Sequence, residues 1–539
     1  MRHNPFSGEH KNSRPLPNGR TDRRTDSRAN RRTRGHPNSR SDVRTKSREH
    51  HAPAARLDRT GTAASVSRAA SAEQLRPGDV VVVTVKRIGI NGEGIGYFRR
   101  KAVFVPGALP GEVVKARVTA VHPRHLEAEA FEYERRSPDR TEAPCPVYGP
   151  CGGCQLQHLR YDAQLRAKEE LVRESFERYA GMASPPIRPI LGADDPWGYR
   201  NKAQLRVGVG RDGPILGLYA PGSHRLIEMP ACAVQHPVVN RAVEAVRGAL
   251  REVRVPVWNE KTGEGALKSV VVRASRADGR VQVTFVTAGR ELPGKNALIR
   301  ELRRRLPELA SVAQNINPDR TPLVFGDETL TLWGNDRLDE TLGRLRLRLS
   351  PRAFFQLNPE QTVRLYDTVL EAAALTGRER VVDAFCGTGT IALWLAPHAA
   401  EVRGVESVAE AVADARENAR TNGAANAFFF EGTAEHWLAV WEKKGFRPDV
   451  VVADPPRTGC GESLLRTVLD MRPPRFVYVS CNPATLAKDC RRLLDGGYRL
   501  GFSRSTCSRR RRMWSVARCW WRDNLIVRRG KIPMKTLPA

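Results

Sequence analysis

The sequence predicts an α/β protein in three parts: a small N-terminal β-barrel, a mixed α/β centre, and a C-terminal domain built on a doubly wound parallel sheet. Short Val-rich runs separated by Gly and Pro, between about residues 80 and 121, predict the barrel. From about residue 375 onward, strand-like and helix-like segments alternate regularly, which predicts the parallel sheet. The region between them has a mixed pattern.

Length and composition set the broad class. The chain has 539 residues, 40% of them hydrophobic, which is enough for about three packed domains. No apolar run approaches the ~20 residues of a membrane span, and the basic N-terminus lacks the apolar core of a signal peptide. Ten cysteines are too few for a disulfide framework and suit a reducing compartment. We therefore expect a cytoplasmic monomer with no membrane partner.

The net charge of +30 favours a nucleic-acid partner over a small acidic metabolite. Part of this charge lies in residues 1–73, which are rich in Arg, Ser, Asn and Thr and poor in apolar residues. Such a composition predicts a disordered basic tail that is attracted to polyanions. The alternatives are a solubilising tail or a start codon assigned too far upstream.

Residues 74–135 account for the predicted barrel. Residues 80–85 are almost all valine, residues 89–96 are glycine-rich, and residues 113–121 alternate in polarity. The basic cluster at residues 99–101 would suit RNA. In this segment the sequence resembles the TRAM domain, an OB-like RNA-binding barrel. A small barrel without a ligand is the alternative.

Three cysteines lie close together near the start of the central domain, which we place at residues 136–350. Cys145, Cys151 and Cys154 are separated by Gly and Pro, so the backbone can fold around their sulfurs, and Cys232 could supply a fourth thiolate. Four thiolates suit either a [4Fe–4S] cluster or zinc, and the spacing does not choose between them. A thiol cluster without metal is the third possibility.

A compact polar and basic segment, Tyr-Arg-Asn-Lys at residues 199–202, precedes an alternating run that ends at Val207. It could grip a phosphate or a base. It could equally be a solvated strand edge, and the sequence does not decide between the two.

The C-terminal domain, placed at residues 351–506, begins with a nucleotide-type turn. A strand ends in Asp383, the tight turn Phe385-Cys-Gly387-Thr-Gly389 follows, and a helix begins after it. The next strand ends in Glu406, and an acid about 20 residues after the first strand accepts hydrogen bonds from ribose hydroxyls. This order predicts an adenosyl cofactor. A dinucleotide fits less well because the third glycine of its fingerprint is missing.

Two later strands end in reactive side chains. Residues 449–453 lead into Asp454, which is followed by two prolines that fix a rigid loop. An apolar run at residues 477–480 ends in Cys481, where Asn-Pro stops the strand. The carboxyl ends of parallel strands share one sheet edge, so we expect Asp454 and Cys481 on the same edge as the glycine turn. An inert, buried thiol is the alternative for Cys481.

Together these residues resemble the family of RNA uridine-C5 methyltransferases that use S-adenosylmethionine, over roughly residues 75–506. The resemblance is carried by the cysteine set, the glycine turn, Asp454-Pro-Pro-Arg457, Ser480-Cys-Asn-Pro483 and Phe354-Phe-Gln-Leu-Asn358. It implies a Rossmann-like methyltransferase domain. It implies that Cys145, Cys151, Cys154 and Cys232 hold a [4Fe–4S] cluster and that Cys481 is the nucleophile. It implies a methyl-donor site lined by Gln356, Phe385, Gly387, Gly389, Glu406 and Asp454.

The resemblance also implies a reaction. A thiolate that adds to C6 of uracil makes C5 nucleophilic enough to accept a methyl group, and a general base then removes the C5 proton. The uridine must leave its stack to reach the site. We expect 23S ribosomal RNA as the substrate, with transfer RNA as the alternative. A catalytically impaired RNA-binding protein with the same fold is the competing hypothesis.

In this family the general base is a glutamate in a C-terminal segment that reads roughly Pro-Gln-Thr-Pro-His-Val-Glu, and this chain has no such segment. After Thr506 it continues with an Arg- and Trp-rich run. Codons for residues 507–516, read two bases later, can spell Leu-Pro-Gln-Thr-Pro-His-Val-Glu-Cys. We therefore interpret residues 507–539 as an aberrant basic tail produced by a frameshift, with the lost glutamate codon straddling Trp514 and Ser515. A genuine RNA-binding extension is the alternative.

Overall fold

The structure is a computed structural model that describes residues 75–321, 323–502, 506–507 and 521–529. The predicted tail at residues 1–73 and most of the predicted tail at residues 507–539 lie outside these ranges. Along the described chain, a closed barrel is followed by a seven-stranded sheet, a two-stranded hairpin and a larger C-terminal sheet. This order agrees with the predicted barrel, mixed centre and doubly wound domain.

Five strands close the N-terminal barrel in the order β1-β2-β3-β5-β4. Alternating valines build its interior, and Val81, Val83 and Val85 are at most 1% exposed. Gly96 lets the second strand cross close to the first, because a Cβ there would overlap the Val83 side chain. The strands are β1 (Val80–Ile88), β2 (Gly94–Phe98), β3 (Lys101–Val105), β4 (Val113–Val121) and β5 (His125–Arg135).

The turn between β2 and β3 consists of Arg99 and Arg100, whose φ angles are +44° and +67°. Left-handed backbone is unfavourable for residues with side chains, but two such residues in succession match the twist of a two-residue hairpin. The guanidinium of Arg99 lies 5.3 Å from the centre of the Phe98 ring. The turn therefore presents two exposed cationic residues at one end of the barrel.

The central sheet has the order β12-β11-β10-β9-β6-β7-β8. Helices cover one of its faces, where Val246 and Leu302 pack in one apolar cluster with Val270 and Phe285 of the sheet. The strands are β6 (Lys202–Gly210), β7 (Gly213–Tyr219), β8 (Leu226–Glu228), β9 (Leu267–Ala274), β10 (Val281–Thr287), β11 (Leu309–Ile316) and β12 (Glu328–Gly334). The helices of this region are α1 (Tyr161–Ser175), α2 (Pro237–Val253) and α3 (Lys295–Arg305). A π-helical turn, Phe176–Ala180, extends α1.

A hairpin of β13 (Leu338–Leu342) and β14 (Leu345–Leu349) follows the central sheet. Leu342 and Leu347 belong to the same core cluster as Val381 of the C-terminal sheet. The hairpin therefore packs with the C-terminal domain, although the predicted boundary at residue 350 would leave it in the central domain.

The C-terminal sheet has the order β17-β16-β15-β18-β19-β22-β20. The strands from β17 to β19 are parallel to one another, whereas β22 runs antiparallel to both its neighbours. The strands are β15 (Arg380–Asp383), β16 (Glu401–Glu406), β17 (Ala427–Glu431), β18 (Val450–Ala453), β19 (Arg475–Ser480), β20 (Tyr498–Phe502), β21 (Thr506–Cys507) and β22 (Trp521–Arg529). β22 lies beyond the predicted domain end at residue 506.

Helices cover both faces of this sheet, as the prediction of a doubly wound domain requires. One core cluster contains residues of α4, α5 and α6, and a second, on the other face, contains residues of α7, α8 and α9. The helices are α4 (Pro359–Ala373), α5 (Thr390–Leu395), α6 (Ala409–Thr421), α7 (Ala434–Lys443), α8 (Gly461–Met471) and α9 (Pro483–Asp495), with a 3₁₀ turn at Ala396–His398. Within the described ranges, no helix has both the length and the apolar character that crossing a membrane would need.

Candidate active site

Four adjacent strands bring predicted site residues to one edge of the C-terminal sheet. In the order β16-β15-β18-β19 the strands are parallel, so their carboxyl ends lie together. At or directly after these ends stand Glu406, Asp383, Asp454 and Cys481. Starting from β15, the chain adds β16 and β17 on one side of the sheet and then β18 and β19 on the other side. The crevice between β15 and β18 is therefore the topological switch point, where open α/β sheets bind their ligands.

The glycine turn after β15 depends on backbone that only glycine adopts easily. Gly387 and Gly389 have φ angles of +53° and +83°. The N–H of Gly389 donates to the carbonyl of Cys386 at 2.8 Å, and α5 begins at the next residue. A Cβ on Gly389 would lie 2.9 Å from the ring of Phe429. Both glycines thus hold a tight turn whose backbone can approach a ligand closely.

Glu406 joins the second strand to this turn. One carboxylate oxygen, Oε2, accepts the N–H of Gly387 at 3.2 Å. The other, Oε1, accepts the N–H of Val408 at 2.9 Å and the hydroxyl of Ser407 at 3.1 Å. The structure therefore places the predicted ribose-binding acid directly against the predicted nucleotide turn.

Asp383 is a buried carboxyl beneath the same turn. Its Oδ2 accepts the N–H of Ala392 at 3.0 Å, which fixes the first turn of α5. Burial, with the negative charges of Asp454 and Glu406 as smaller contributions, raises the pKa of Asp383 to about 7. Backbone N–H groups, including that of Phe385, act in the opposite direction. The three acids create a negative potential in the crevice that favours a cationic ligand.

Cys481 stands between the last residue of β19 and the first residue of α9. Its side chain is 7% exposed and packs against Leu357. The N–H groups in the first turn of a helix are unpaired within the helix, and the helix dipole favours negative charge next to them. Only the dipole of α9 favours negative charge here, because Pro483 has no N–H and Asn482 already accepts the N–H groups of Ala484 and Thr485.

The other described thiols of the domain have a different environment. Cys386, Cys460 and Cys490 lie inside the core and are 0–4% exposed. Burial raises the pKa of all three thiols above their ordinary value. A thiol must ionise to act as a nucleophile, so these three are unsuited to that role.

The loop after Asp454 is bound to the first turn of α9. The side chain of Asn482 donates to the carbonyl of Arg457 at 3.3 Å, and the hydroxyl of Thr485 donates to the same carbonyl at 3.1 Å. Asn482 also caps α9, because its Oδ1 accepts the N–H of Ala484 at 3.0 Å. Asn482, which the sequence predicted only as a strand terminator, thus joins Thr485 in holding the Asp454 loop against the turn that carries Cys481.

Gln356 is 5% exposed and lies in the segment that contacts Cys481 through Leu357. Its position depends on Asn201 of the central domain, whose side-chain amide donates to the carbonyl of Gln356 at 3.1 Å. The backbone N–H of Asn201 donates to the carbonyl of Leu357 at 3.3 Å. No motif or spacing in the sequence points to this bridging role of Asn201.

The Tyr-Arg-Asn-Lys segment is not a solvated strand edge. Tyr199, Arg200, Asn201 and Lys202 are only 1–7% exposed, and β6 pairs with strands on both sides. The Nε of Arg200 donates to the carbonyl of Lys202 at 2.7 Å, which fixes the guanidinium inside the fold. The segment therefore supports the site from within.

Two tight turns fold the cysteine-rich loop. The N–H of Tyr148 donates to the carbonyl of Cys145 at 3.0 Å, and the N–H of Cys151 donates to the carbonyl of Val147 at 2.9 Å. These turns fold the chain back on itself between Cys145 and Cys151.

The same loop is packed against the central sheet. Gly152 lies so close to the end of β7 that a Cβ would be 2.9 Å from the carbonyl oxygen of Tyr219. Cys154 packs against the apolar cluster that contains Cys232. Cys151 and Cys232 are buried, and Cys145 and Cys154 are half-buried. A donor set of four thiols on a glycine-rich loop and a neighbouring turn fits an all-thiolate centre.

Two family models match the chain. One described as TRAM domain matches residues 74–131, and one described as tRNA (Uracil-5-)-methyltransferase matches residues 335–498. The first match confirms the predicted barrel. The second covers the β13–β14 hairpin and most of the C-terminal domain, including its catalytic edge.

Relatives match over most of their length. An uncharacterized RNA methyltransferase of Halalkalibacterium halodurans is 48% identical over 428 residues, which cover 79% of this chain and 92% of that protein. An uncharacterized RNA methyltransferase of Bacillus anthracis is 50% identical over 422 residues, which cover 78% and 92%.

A solved structure agrees with the fold. The tRNA (uracil-54, C5)-methyltransferase of Pyrococcus abyssi, in complex with S-adenosyl-L-homocysteine, superposes with a TM-score of 0.63 and 25% sequence identity. The match covers 83% of this chain and 99% of that one. With the barrel, the sheet order and the crevice already described, these likenesses establish the family: the chain belongs to the S-adenosylmethionine-dependent RNA uracil-5 methyltransferases.

Proposed function

We propose that this protein methylates C5 of a specific uridine in RNA through a covalent bond between Cys481 Sγ and C6 of the base. One observation carries the proposal: Cys481 stands at the end of β19, next to the strand that leads to Asp454 and one strand further from the glycine turn. A nucleophile and a cofactor crevice thus share one sheet edge, in a protein whose family modifies uracil.

The residues of the crevice fit the methyl donor. S-adenosylmethionine, when bound, supplies an electrophilic methyl group on a cationic sulfur. Glu406 would accept hydrogen bonds from the ribose hydroxyls, as acids at this position do. Asp383 and Asp454 would favour the positive charge, and the glycine turn would admit the ligand close to the backbone. Gln356 and Phe385 would complete the lining.

The thiol chemistry follows from the poor nucleophilicity of uracil C5. Sγ of Cys481 forms a bond to C6, and the C5–C6 electron pair moves toward the C4 carbonyl to give an enolate. The enolate carbon C5 would form the bond to the methyl group as the bond between that methyl group and the donor's sulfur breaks, and the electron pair of the broken bond would return to the sulfur. A base then removes the C5 proton, the electron pair restores the C5–C6 double bond, and the thiolate leaves.

The base is the incomplete part of this cycle. We propose that a frameshift after Thr506 replaced the family's C-terminal segment, since the shifted codons can spell the missing Pro-Gln-Thr-Pro-His-Val-Glu sequence. Such a chain would form the Cys481 adduct and release it slowly or not at all. Sequencing the 3′ end of the gene tests this: an intact frame with no such segment in the shifted frame would refute it.

The strand β22 supports a second candidate for the base. It pairs with β19 in a register that sets Asp523 opposite Ser480, the residue before Cys481. If the tail is genuine, sheet pairing brings a carboxylate residue to the strand end that carries the nucleophile. If Asp523 is the base, the enzyme should complete its catalytic cycle. If a frameshift has removed the base, the reaction should stop at the covalent adduct.

We propose ribosomal RNA, of the 23S type, as the substrate, acted on by a cytoplasmic monomer. The barrel with its Arg99–Arg100 turn and the cysteine set support this choice. Transfer RNA is the second candidate, favoured by the solved relative that acts on uracil-54 of tRNA. Methyl transfer to transcripts of both RNA types, followed by mapping of 5-methyluridine, distinguishes them.

We propose that Cys145, Cys151, Cys154 and Cys232 hold a [4Fe–4S] cluster. The folding of the loop by tight turns and the packing of Cys154 beside the cluster that contains Cys232 support it. Four thiolates would bind the iron centre, which would link the loop to the central sheet. The cluster would have a structural role and would take no part in methyl transfer. Iron and sulfide analysis of protein purified without oxygen tests this proposal against zinc.

A trapping experiment tests the methyl-transfer proposal as a whole. RNA that carries 5-fluorouridine at the target cannot lose its C5 substituent to a base, so the adduct should persist. We expect a denaturation-resistant protein–RNA complex that Cys481→Ala abolishes and Cys490→Ser retains. A complex that persists in Cys481→Ala would contradict a Cys481 nucleophile. So would the absence of any complex when the unaltered protein binds the cofactor.

A further inference from the structure

The hairpin that joins β4 to β5 carries two histidines and a glutamate in the order His122-Pro-Arg-His125-Leu-Glu127. The N–H of His122 donates to the carbonyl of His125 at 2.9 Å, so the two histidines form a cross-strand pair at the turn. Ala120 lies opposite Glu127 in the ladder. Because side chains alternate along a strand, His122, His125 and Glu127 all point to the same side of the hairpin.

The three side chains converge. The two imidazole rings stack with their centres 4.3 Å apart and their planes 17° apart. Nε2 of His122 lies 3.4 Å from Oε1 of Glu127, and Nε2 of His125 lies 4.0 Å from the same oxygen. Ligand atoms on a tetrahedral zinc ion, about 2.0–2.2 Å from the metal, are roughly 3.4 Å apart. The first pair already has this separation, and the second is slightly too long.

One ligand atom lacks a hydrogen bond. Nε2 of His122 is sealed from solvent and makes no hydrogen bond with any residue that the structure describes, since its approach to Glu127 is misaligned. A buried polar atom without a partner costs free energy. A cation between this nitrogen and the carboxylate would remove that cost, because both atoms would then coordinate it.

We propose that His122, His125 and Glu127 form a site for one zinc ion, with a fourth position left to water. Two imidazoles and one carboxylate are a common zinc donor set. Closing the site requires the stacked rings to rotate apart and the Glu127 carboxylate to move toward His125. The Lys101 ammonium, which donates to the carbonyl of His122 at 3.4 Å, weighs against a cation there, and the Glu127 charge offsets it.

The proposed ion would lie at the end of the barrel that carries the basic residues of β3 and of the β2–β3 turn. β3 pairs with β5, and Ala102 lies opposite His125 in that ladder. The proposed ion therefore stands one residue from Lys101 and beside the strand that begins at the Arg99–Arg100 turn. It would add two positive charges to the basic end of the barrel. The site does not depend on the proposed function, because it uses no residue of the crevice or of the cysteine set.

Cobalt(II) titration of the full, reduced chain tests the site and separates it from the four cysteines. Thiolate ligands give cobalt an intense near-ultraviolet charge-transfer band, whereas nitrogen and oxygen ligands give only weak visible bands. Beyond any cobalt that the four cysteines bind with a thiolate band, we expect one further cobalt ion per chain that adds only the weak visible bands and is displaced by zinc. His122→Ala, His125→Ala and Glu127→Gln should each weaken its binding at least tenfold. His436→Ala removes an exposed histidine elsewhere and should not.

The outcomes are unambiguous because the hairpin is half-exposed and its variants should fold. Thermal unfolding of each metal-free variant, compared with the unaltered chain, verifies this. Cobalt binding that shows only the thiolate spectrum would overturn the proposal. So would binding that the three substitutions leave unchanged, or that His436→Ala weakens equally.

Discussion

The hydroxyl of Tyr478 donates a hydrogen bond to Oδ2 of Asp489 at 2.7 Å, and the same oxygen accepts the backbone N–H of Cys460 at 3.0 Å. Tyr478 belongs to β19, three residues before Cys481, and Asp489 belongs to α9. Cys460 ends the loop that follows Asp454. One buried carboxylate thus fixes the strand, the helix and the loop that surround the nucleophile. Burial and the charge of Asp489 raise the pKa of Tyr478, which keeps it a neutral donor.

Asp489→Ala should destabilise the protein by about 2–3 kcal/mol, because it leaves the Tyr478 hydroxyl buried without an acceptor and removes the nearer of the two acceptors of the Cys460 N–H. Tyr478→Phe removes one donor and should cost about 1 kcal/mol. Urea unfolding measures both. Asp495→Ala, on the exposed end of the same helix, is the matched control and should change stability by less than ~0.5 kcal/mol. Equal effects at Asp489 and Asp495 would contradict this role.

Gly389→Ala should weaken cofactor binding. The substitution forces a side chain into left-handed backbone and against the Phe429 ring, which should cost about 2–4 kcal/mol in strain and overpacking. Isothermal titration with S-adenosyl-L-homocysteine measures the loss. Gly377→Ala is the control: its φ is +90°, yet nothing lies within 4 Å of the added Cβ. If both variants lose affinity alike, close packing at the glycine turn is not the cause.

Binding of S-adenosylmethionine should strengthen as the pH rises to about 7. Asp383 holds its proton below a pKa of about 7, and a cationic ligand favours the ionised form. Ligand binding should therefore release a proton, with affinity rising by at most tenfold per pH unit below 7 and levelling above it. Asp383→Asn should flatten this profile.

The same raised pKa affects stability with a definite sign. Between the ordinary aspartate pKa of 3.8 and about 7, the folded protein keeps a proton that the unfolded chain releases. Asp383 therefore lowers stability as the pH rises through this window, and its effect is constant above it. Glu340, whose pKa burial also raises to about 7, lies on β13 and not at the sheet edge that forms the crevice. Glu340→Gln should change the stability profile but not the pH dependence of ligand affinity.

Asn201→Ala should raise the KM for S-adenosylmethionine several-fold with little loss of the folded fraction. It removes the hydrogen bond that holds the Gln356 carbonyl and leaves that carbonyl buried without its partner. Initial-rate kinetics measure the effect, and trapping with 5-fluorouridine RNA replaces them if turnover is absent. Asn422→Ala is the control. It removes a hydrogen bond to the carbonyl of Arg346 on the β13–β14 hairpin and should leave the KM unchanged.

Asp523→Asn distinguishes the two accounts of the C-terminal tail. If Asp523 is the base, the unaltered chain should turn over on normal RNA, and the variant should accumulate methylated adduct. If the native segment has been lost by frameshift, both proteins should stall at the adduct. Mass spectrometry of the protein–RNA complex after a single turnover reads this difference directly.

The sequence is sufficient to bring the candidate site residues to one sheet edge, because the pattern that predicts this is local; their catalytic roles stay predictions. A strand, a glycine turn, a helix and an acid follow one another within a short stretch, and parallel strands bring their ends to one edge without further information. The same reasoning located Asp454 and Cys481, each after an apolar run that ends at a proline-containing turn.

What the sequence did not predict depends on long-range contacts. Asn201 bonds to Gln356 across 155 positions, and Asp489 acts through a tyrosine and a backbone group on two other elements. Neither residue lies in a motif of recognisable spacing. The β13–β14 hairpin falls in the central domain by the predicted boundary at residue 350, whereas in the structure it shares a core cluster with Val381 of the C-terminal sheet.

The antiparallel strand β22 lies between β19 and β20, although both of those strands precede it in the chain. During synthesis, the edge of β19 that will pair with β22 therefore stays unpaired until residues 521–529 have been made. The strands β15, β16 and β18 can associate before that. The cofactor crevice can form before the strand that carries Cys481 is enclosed. A chain cut after residue 506 would keep that edge open, with backbone donors and acceptors exposed beside the thiol and free to pair with another molecule.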